Sequence, residues 1–127
     1  MATPVVPACN AAPSPDATLL EACARWMARE AEYEAAYQRQ CQAEEAGDKG
    51  EASRAFLALC ALAKNQHVSL DPVIETPALT AAGRLAKAEV AMTLVVTNPE
   101  GEALSREDAM LWSLAEDLAG KPLVPPA

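Results

Sequence analysis

The feature that most constrains this chain is a run of 31 residues, Asp16 to Ala46, that contains neither proline nor glycine. Ser14 and Pro15 precede the run and are typical of an N-cap and a first helical position. We therefore predict one long helix, roughly 46 Å at the rise of an α-helix. Gly47 follows it and is typical of a left-handed C-cap, which predicts a turn into a second helix.

The composition also favours helices. Hydrophobic residues make up 51% of the chain but aromatic residues only 4%, so that the apolar side chains are mainly those of alanine, leucine and valine. A length of 127 residues suits one compact domain. We predict a single helical domain over residues 15–120, with a disordered proline-rich arm over residues 1–14 and a flexible tail over residues 121–127.

The predicted fold is all-α and bundle-like, a long antiparallel helical hairpin with two further helices. The second helix is predicted from residue 48 or 50 to residue 66, folding back on the first. Pro72 and Pro77 predict a break over residues 67–80 that holds at most a short turn, such as residues 71–75.

A third helix is predicted to begin near Thr76 or Thr80 and to run to about Thr97, although residues 90–96 also alternate with a strand period. Gly83 lies inside it and predicts either a close helix contact or a loose first turn. The last helix is predicted to follow an N-cap at Ser105 and to stop at Gly120. Its predicted buried stripe consists of Leu111, Leu114, Ala115 and Leu118.

An apolar seam runs along the first helix, which is longer than its hairpin partner. The first turns of the seam therefore need another cover, either from the C-terminal half or from a second copy of the chain. We predict a homodimer that uses this seam. The candidate interface residues are Leu19, Leu20, Cys23, Trp26, Met27, Tyr33 and Tyr37. Glu30 interrupts the seam and is either a buried acid with a raised pKa or a partner of Arg29 or Arg54.

The charge balance is acidic, with 18 Asp and Glu against 10 Lys and Arg and a formal net charge of −8. This charge argues against direct binding to nucleic acid or to an anionic membrane. The excess is densest in the C-terminal half. It is either a solvated helix face or a docking patch for a basic partner. The candidate acidic patch consists of Glu100, Glu102, Glu107 and Asp108.

No catalytic, cofactor-binding or metal-ligating residue is predicted, and we do not expect an enzyme. The cysteines are Cys9, Cys23, Cys41 and Cys60. Their spacings fit neither a zinc knuckle nor a redox pair. His67, Ser69 and Asp71 include the residue types of a nucleophilic triad, but at a predicted helix end serine and aspartate are more typical of caps. The absence of a signal peptide and of a long apolar segment predicts a cytoplasmic protein with reduced thiols.

Three short motifs carry a resemblance to other proteins. They are Asp16-x-x-Leu19-Leu20, Thr76-Pro77-Ala78-x-Thr80-x-x-Gly83-x-x-x-Lys87-Ala88 and Ser113-Leu114-Ala115-x-Asp117-Leu118. Over residues 16–119 the chain resembles a group of small uncharacterised all-helical proteins of alphaproteobacterial genomes and prophages. The resemblance implies a helical architecture and a phage or mobile-element context, and it transfers no catalytic residue.

The sequence therefore predicts a non-enzymatic helical binding or scaffolding protein that acts on an unidentified protein partner through its helix faces. The alternative is an acidic, inhibitor-like regulatory protein that docks on a basic surface of its partner. Neither function requires a cofactor.

Overall fold

A computed structural model describes residues 14–125 of the chain. The helices in this part are α1 (Ala17–Glu45), α2 (Lys49–Lys64), α3 (Gln66–Glu75), α4 (Ala81–Met92) and α5 (Arg106–Ala119). The extended structure within it is one isolated antiparallel bridge between Thr97 and Ala103. The predicted all-α, bundle-like fold is confirmed. Most of the predicted arm, residues 1–13, and residues 126–127 of the predicted tail lie outside the described residues.

The long hairpin has the predicted turn. Gly47 has a φ of 72°, the left-handed conformation that glycine adopts most easily, and it ends α1. The Asp48 carboxylate then accepts a hydrogen bond from the Glu51 backbone N–H at 3.0 Å and caps α2. α1 begins slightly later than predicted, at Ala17, because Asp16 rather than Ser14 is its cap residue.

The segment after α2 differs from the prediction, because it forms the ten-residue helix α3 with Pro72 in its interior. Proline lacks the N–H that would bond to the carbonyl of the preceding turn, which normally interrupts a helix. Leu70 and Val73 pack into the core against α1, and this burial offsets the missing hydrogen bond. Asn65 alone separates α2 from α3, so the two helices return along α1 as one broken arm.

The helix α4 is shorter than predicted and ends at Met92 rather than near Thr97. The Asn98 side-chain oxygen accepts hydrogen bonds from the backbone N–H groups of Glu100 at 3.0 Å and Glu102 at 2.9 Å, which fixes a turn. The β-branched residues before that turn, Val95 to Thr97, favour the extended backbone that forms the bridge.

The core has two clusters that meet at α4. The first contains Leu19, Ala22, Cys23, Trp26, Val73 and Val90. The second contains Ala88, Met92, Val95, Ala115 and Leu123. α1 packs against α2, α3 and α4, whereas α5 packs against α4. α4 therefore lies between α1 and α5. None of the described helices is both long and apolar enough to cross a bilayer.

Candidate functional site

The first half of the α1 seam lies inside the protein. Leu19 and Trp26 are 0% exposed and Cys23 is 3% exposed. Val73 of α3 and Val90 of α4 belong to the same buried cluster. The cover that the long helix requires therefore comes from the same chain. This corrects the expectation for these three residues, since side chains without exposed surface cannot contact a second copy.

The remaining candidate interface residues are more open. Leu20 and Met27 are half-buried, and Met27 packs against the first core cluster. Tyr33 is 40% exposed and Tyr37 is 48% exposed. A homodimer through this seam stays a prediction, and its accessible surface is now limited mainly to the two tyrosines.

The buried carboxylate of Asp16 joins the start of α1 to the start of α4. It accepts hydrogen bonds from the backbone N–H groups of Leu79 at 2.9 Å and Thr80 at 2.8 Å, and from the Thr80 hydroxyl at 2.5 Å. The Thr80 oxygen itself accepts from the Gly83 N–H at 3.1 Å and caps α4. These donors, the Thr80 hydroxyl first among them, hold the pKa of Asp16 below its usual value.

Gly83 permits this contact. A Cβ atom at this position would overlap the Asp16 carboxylate, so the absence of a side chain lets the carboxylate reach the first turn of α4. Of the two alternatives predicted for Gly83, the close contact is present, and the glycine also lies in the first turn of α4. Asp16, Thr80 and Gly83 come from two of the resemblance motifs and meet here. Because the carboxylate is 1% exposed and already hydrogen-bonded, the contact stabilises the fold and offers no access to a substrate.

Trp26 holds the other end of α4. Its indole N–H donates to the Thr93 hydroxyl at 2.8 Å, and that hydroxyl donates to the Val90 carbonyl at 2.6 Å. Since Asp16 binds the beginning of α4 and Trp26 the end, α1 and α4 run in the same direction. Sequence reasoning missed the role of Asp16, which was interpreted as part of the start of α1; the only signal for it was the motif containing Thr80 and Gly83.

The prediction that α5 buries a leucine stripe is wrong. Ala115 is buried, but Leu111, Leu114 and Leu118 are each 47% exposed. Helical geometry places these leucines to one side of Ala115, while Trp112 and Ala119 lie to the other side and pack into the second core cluster. We call Leu111, Leu114 and Leu118 the leucine flank.

The C-terminal segment covers the opposite side of α5. The Trp112 indole N–H donates to the Leu123 carbonyl at 3.0 Å. The Leu123 N–H donates to the Glu116 carboxylate at 2.7 Å. Leu123 of the predicted flexible tail therefore lies against α5, while Val124 beside it is 86% exposed. This contact leaves the leucine flank uncovered in the part of the chain that the structure describes.

The candidate acidic patch separates into two kinds of residue. Glu100, Glu102 and Glu107 are exposed, whereas Asp108 is half-buried. The Asp108 carboxylate accepts from the Ser105 hydroxyl at 2.7 Å, and its backbone N–H donates to the same hydroxyl at 3.1 Å. Asp108 therefore belongs to the N-terminal cap of α5, and the other three carboxylates form the accessible part of the patch.

Glu30 is half-buried rather than fully buried, and neither Arg29 nor Arg54 forms an ion pair with it among the described residues. Partial burial raises the pKa of its carboxyl group, although the nearby Arg29 opposes the shift. Arg54 pairs instead with Glu51, at 3.0 Å. The Arg29 Nη2 atom is buried and has no hydrogen-bond partner among the described residues.

The described part of the chain brings few reactive side chains together. Within residues 14–125, no group of three or more His, Cys, Asp or Glu side chains is placed to hold a metal ion. Ser69 and Asp71 lie on α3, and the side chain of His67 is outside the described part. Cys23 is buried and Cys60 is exposed. Cys9 precedes the described residues.

No protein-family profile, curated protein or solved structure matches this chain. The resemblance to prophage-associated helical proteins stays a prediction. The accessible surfaces to compare as binding sites are the leucine flank, the exposed carboxylates of the acidic patch and the open half of the α1 seam.

Proposed function

We propose that this chain is a non-enzymatic binding protein that holds a basic amphipathic helix of a partner protein on the leucine flank of α5. The observation that supports this proposal most directly is the exposure of 47% at each of the three leucines, which recur on one side of a helix that packs against α4.

The spacing of the leucine flank suits a helical partner. Its residues follow each other at intervals of three and four, the spacing at which side chains of one helix fit between those of another. Single exposed leucines are common on protein surfaces, but a contiguous apolar row marks an interaction site. Leu57 on α2 is 65% exposed beside the exposed Phe56, but no leucine lies three or four positions from it, so it provides a control outside the leucine flank.

The charges beside the flank favour a basic partner. Glu107 lies one helical turn before Leu111, and the loop before α5 contributes Glu100 and Glu102. Arg106 is the only basic residue between positions 88 and 120. A partner helix with leucines on one face and lysine or arginine along its border would satisfy both the apolar row and these carboxylates.

A pair of synthetic peptides tests this function. One is an amphipathic helix of about 18 residues with leucines at heptad spacing and lysines on the remaining positions, and the other replaces each lysine by glutamate. We expect calorimetry to show binding of the lysine peptide that is at least about tenfold tighter than that of the glutamate peptide. Equal binding of the two peptides would contradict the proposal.

Variants localise the binding. Leu114→Ser combined with Leu118→Ser should weaken binding of the lysine peptide by about tenfold or more, because two apolar contacts are lost. Leu57→Ser changes an exposed leucine on α2 in the same way and should leave the affinity within about twofold. An unchanged affinity in the double variant would place the site elsewhere.

The exposure of Glu100, Glu102 and Glu107 supports a second candidate, the acidic regulatory protein that docks on a basic surface. Replacement of these three residues by lysine, compared with the Leu114→Ser and Leu118→Ser double variant, distinguishes the candidates, and Asp108 is left unchanged because it caps α5. If the three glutamate-to-lysine changes abolish binding of the lysine peptide and the Leu114→Ser and Leu118→Ser double variant binds it normally, acidic docking is favoured over the leucine flank.

The predicted homodimer, the prophage context and the cytoplasmic location belong to the proposal as well. Light scattering tests the first of them, since a mass near 13.3 kDa at micromolar concentration would exclude a stable dimer.

A further inference from the structure

A cleft lies beside the open half of α1, at the point where α4 ends. Its volume is about 410 Å³. The residues that line it are Met27, Glu30, Ala31, Tyr33, Glu34, Met92, Thr93 and Val95. The volume falls within the range of small-molecule sites, about 300–1,000 Å³.

The apolar wall of the cleft is fixed by the core. Met92 and Val95 belong to the second buried cluster, and Met27 packs against the first. Trp26 anchors Thr93 beside them through its indole N–H. The wall therefore exists before any ligand binds, which limits the ordering that binding would require.

The part of the cleft that α1 lines also carries negative charge, without an ion pair among the described residues. Glu30 and Glu34 lie on consecutive turns of α1 and face the same cleft. The ion pairs among the described residues are Arg25–Glu21 and Arg54–Glu51, so neither Glu30 nor Glu34 has a cationic nitrogen within 4.0 Å. Glu34 accepts a hydrogen bond from the neutral Gln38 amide at 2.8 Å, which leaves its charge in place.

Arg29 is close to Glu30 but forms no ion pair with it within 4.0 Å. Both residues line a second cavity of about 180 Å³ between α1 and the α2–α3 arm, together with Tyr33, Leu62, Ala63 and Gln66. Partial burial raises the pKa of Glu30 despite Arg29, which indicates that the carboxylate is incompletely compensated.

From this geometry we propose that the cleft binds an organic cation with an apolar body. The ammonium or guanidinium group lies at Glu30 and Glu34, and the hydrocarbon portion packs against Met27, Met92 and Val95. A free alkylamine and a lysine side chain of a partner share this chemistry. The site is separate from the leucine flank, so this proposal does not depend on the proposed function.

Other ligand classes fit less well. An anion would be repelled by the two carboxylates, and a neutral apolar molecule would leave them uncompensated. A calcium or magnesium ion needs several oxygen ligands, and no group of three potential ligands is assembled in the described part of the chain.

Three six-carbon probes test the class of ligand on the full chain. Hexylammonium should produce saturable NMR shifts of the Met27, Met92 and Val95 methyl groups, with hexan-1-ol about fivefold weaker and hexanoate without effect. Equal affinity for hexan-1-ol, or shifts confined to other methyl groups, would overturn the proposal.

Matched variants test the contributions of charge and space. Glu30→Gln should lower the affinity for hexylammonium about fivefold and leave that for hexan-1-ol unchanged, whereas Glu32→Gln, an exposed change outside the cleft, should have less than about a twofold effect. Ala31→Leu should block both probes, and Ala35→Leu, one turn further along α1 and not part of the cleft lining, should block neither. Amide spectra identify any variant that fails to fold. Equal effects within either pair would contradict the site.

A lysine derivative distinguishes the two sources of the cation. If Nα-acetyl-lysine methylamide binds at least as tightly as hexylammonium, the occupant is the side chain of a partner. If hexylammonium binds more tightly, the occupant is a free amine. Failure of both compounds to bind up to their solubility limit would overturn the proposal.

Discussion

The first half of α1 and the helix α5 both carry an apolar row, but the row on α1 is buried and the row on α5 is exposed. Leu19 and Trp26 of α1 are 0% exposed, whereas Leu114 and Leu118 of α5 are 47% exposed. α1 packs with α2, α3 and α4, but α5 packs with α4. An amphipathic pattern in the sequence therefore identifies an apolar face of a helix. Whether that face belongs to the core or to the surface depends on the neighbouring helices.

Polar contacts hold α4 over the apolar seam of α1. Asp16 binds the first turn of α4, and Trp26 binds Thr93 after its last turn. These two anchors hold α4 along the seam, so that Val90 completes the first core cluster. For α5, the equivalent anchors from Trp112 and Glu116 hold the C-terminal segment on the side opposite the leucine flank.

The largest expected difference between the two rows is in stability. Trp26→Ala should lower the free energy of unfolding by about 3–5 kcal/mol, because it leaves a cavity and removes the hydrogen bond to Thr93. Leu114→Ala should cost less than about 1 kcal/mol, because the side chain is half in water already. Urea denaturation measures both values, and similar losses would contradict the difference in burial.

The contact at the start of α4 gives the next largest effect. Gly83→Ala should destabilise the protein by about 1–3 kcal/mol, since the new methyl group displaces the Asp16 carboxylate. Gly50→Ala, in α2, has space for a methyl group and should stabilise by about 0.5–1 kcal/mol through helix propensity. Thermal unfolding of the two variants should therefore move in opposite directions, and a harmless Gly83→Ala would show that the close contact is absent.

Two carboxylates, Asp16 at the start of α1 and Glu30 within it, should respond to pH with opposite signs. The pKa of Asp16 is lowered by its hydrogen bonds, so its stabilising effect is complete above the unfolded value of about 3.9 and is lost as pH falls through the lowered folded value. The pKa of Glu30 is raised by burial, so its ionisation becomes destabilising as pH rises above the unfolded value of about 4.3.

Melting temperatures of single variants measure these responses. Asp16→Asn should lower the melting temperature at neutral pH, and the deficit should shrink in acid. Glu30→Gln should raise the melting temperature at neutral pH and have little effect near pH 3, where both states are protonated. A shift of the same sign in both variants would contradict the contrast between a satisfied and an uncompensated carboxylate.

Local signals in the sequence predicted the helix ends well. Gly47 has the predicted left-handed conformation, α5 stops at Gly120 as predicted, and Ser105 caps α5 as expected. These features depend on a few neighbouring residues, so they can be predicted from the sequence alone. The burial of the leucine stripe depends on distant elements, and that prediction was wrong.

The other differences also arise from long-range contacts. Pro72 suggested a break, but packing of Leu70 and Val73 on α1 supports a helix there. The sequence suggested that Asp16 acts at the start of its own helix, α1. Its side chain instead binds the backbone just before α4, more than sixty residues later. The sequence placed Tyr33 and Tyr37 on the apolar seam of α1 but did not show that they are exposed. Their exposure depends on α4, which ends at Met92.

The most direct test of the contrast between α1 and α5 is native-state labelling of thiols with iodoacetamide, followed at each site by mass spectrometry. Cys60 is exposed and Cys23 is buried, so the protein carries its own references. We expect the thiol introduced by Leu114→Cys to react within about tenfold of Cys60, and Cys23 to react at least about 100-fold more slowly, since its burial also raises its pKa. Protection of the introduced thiol to the level of Cys23, or rapid labelling of Cys23 in the folded protein, would contradict a closed seam on α1 and an open flank on α5.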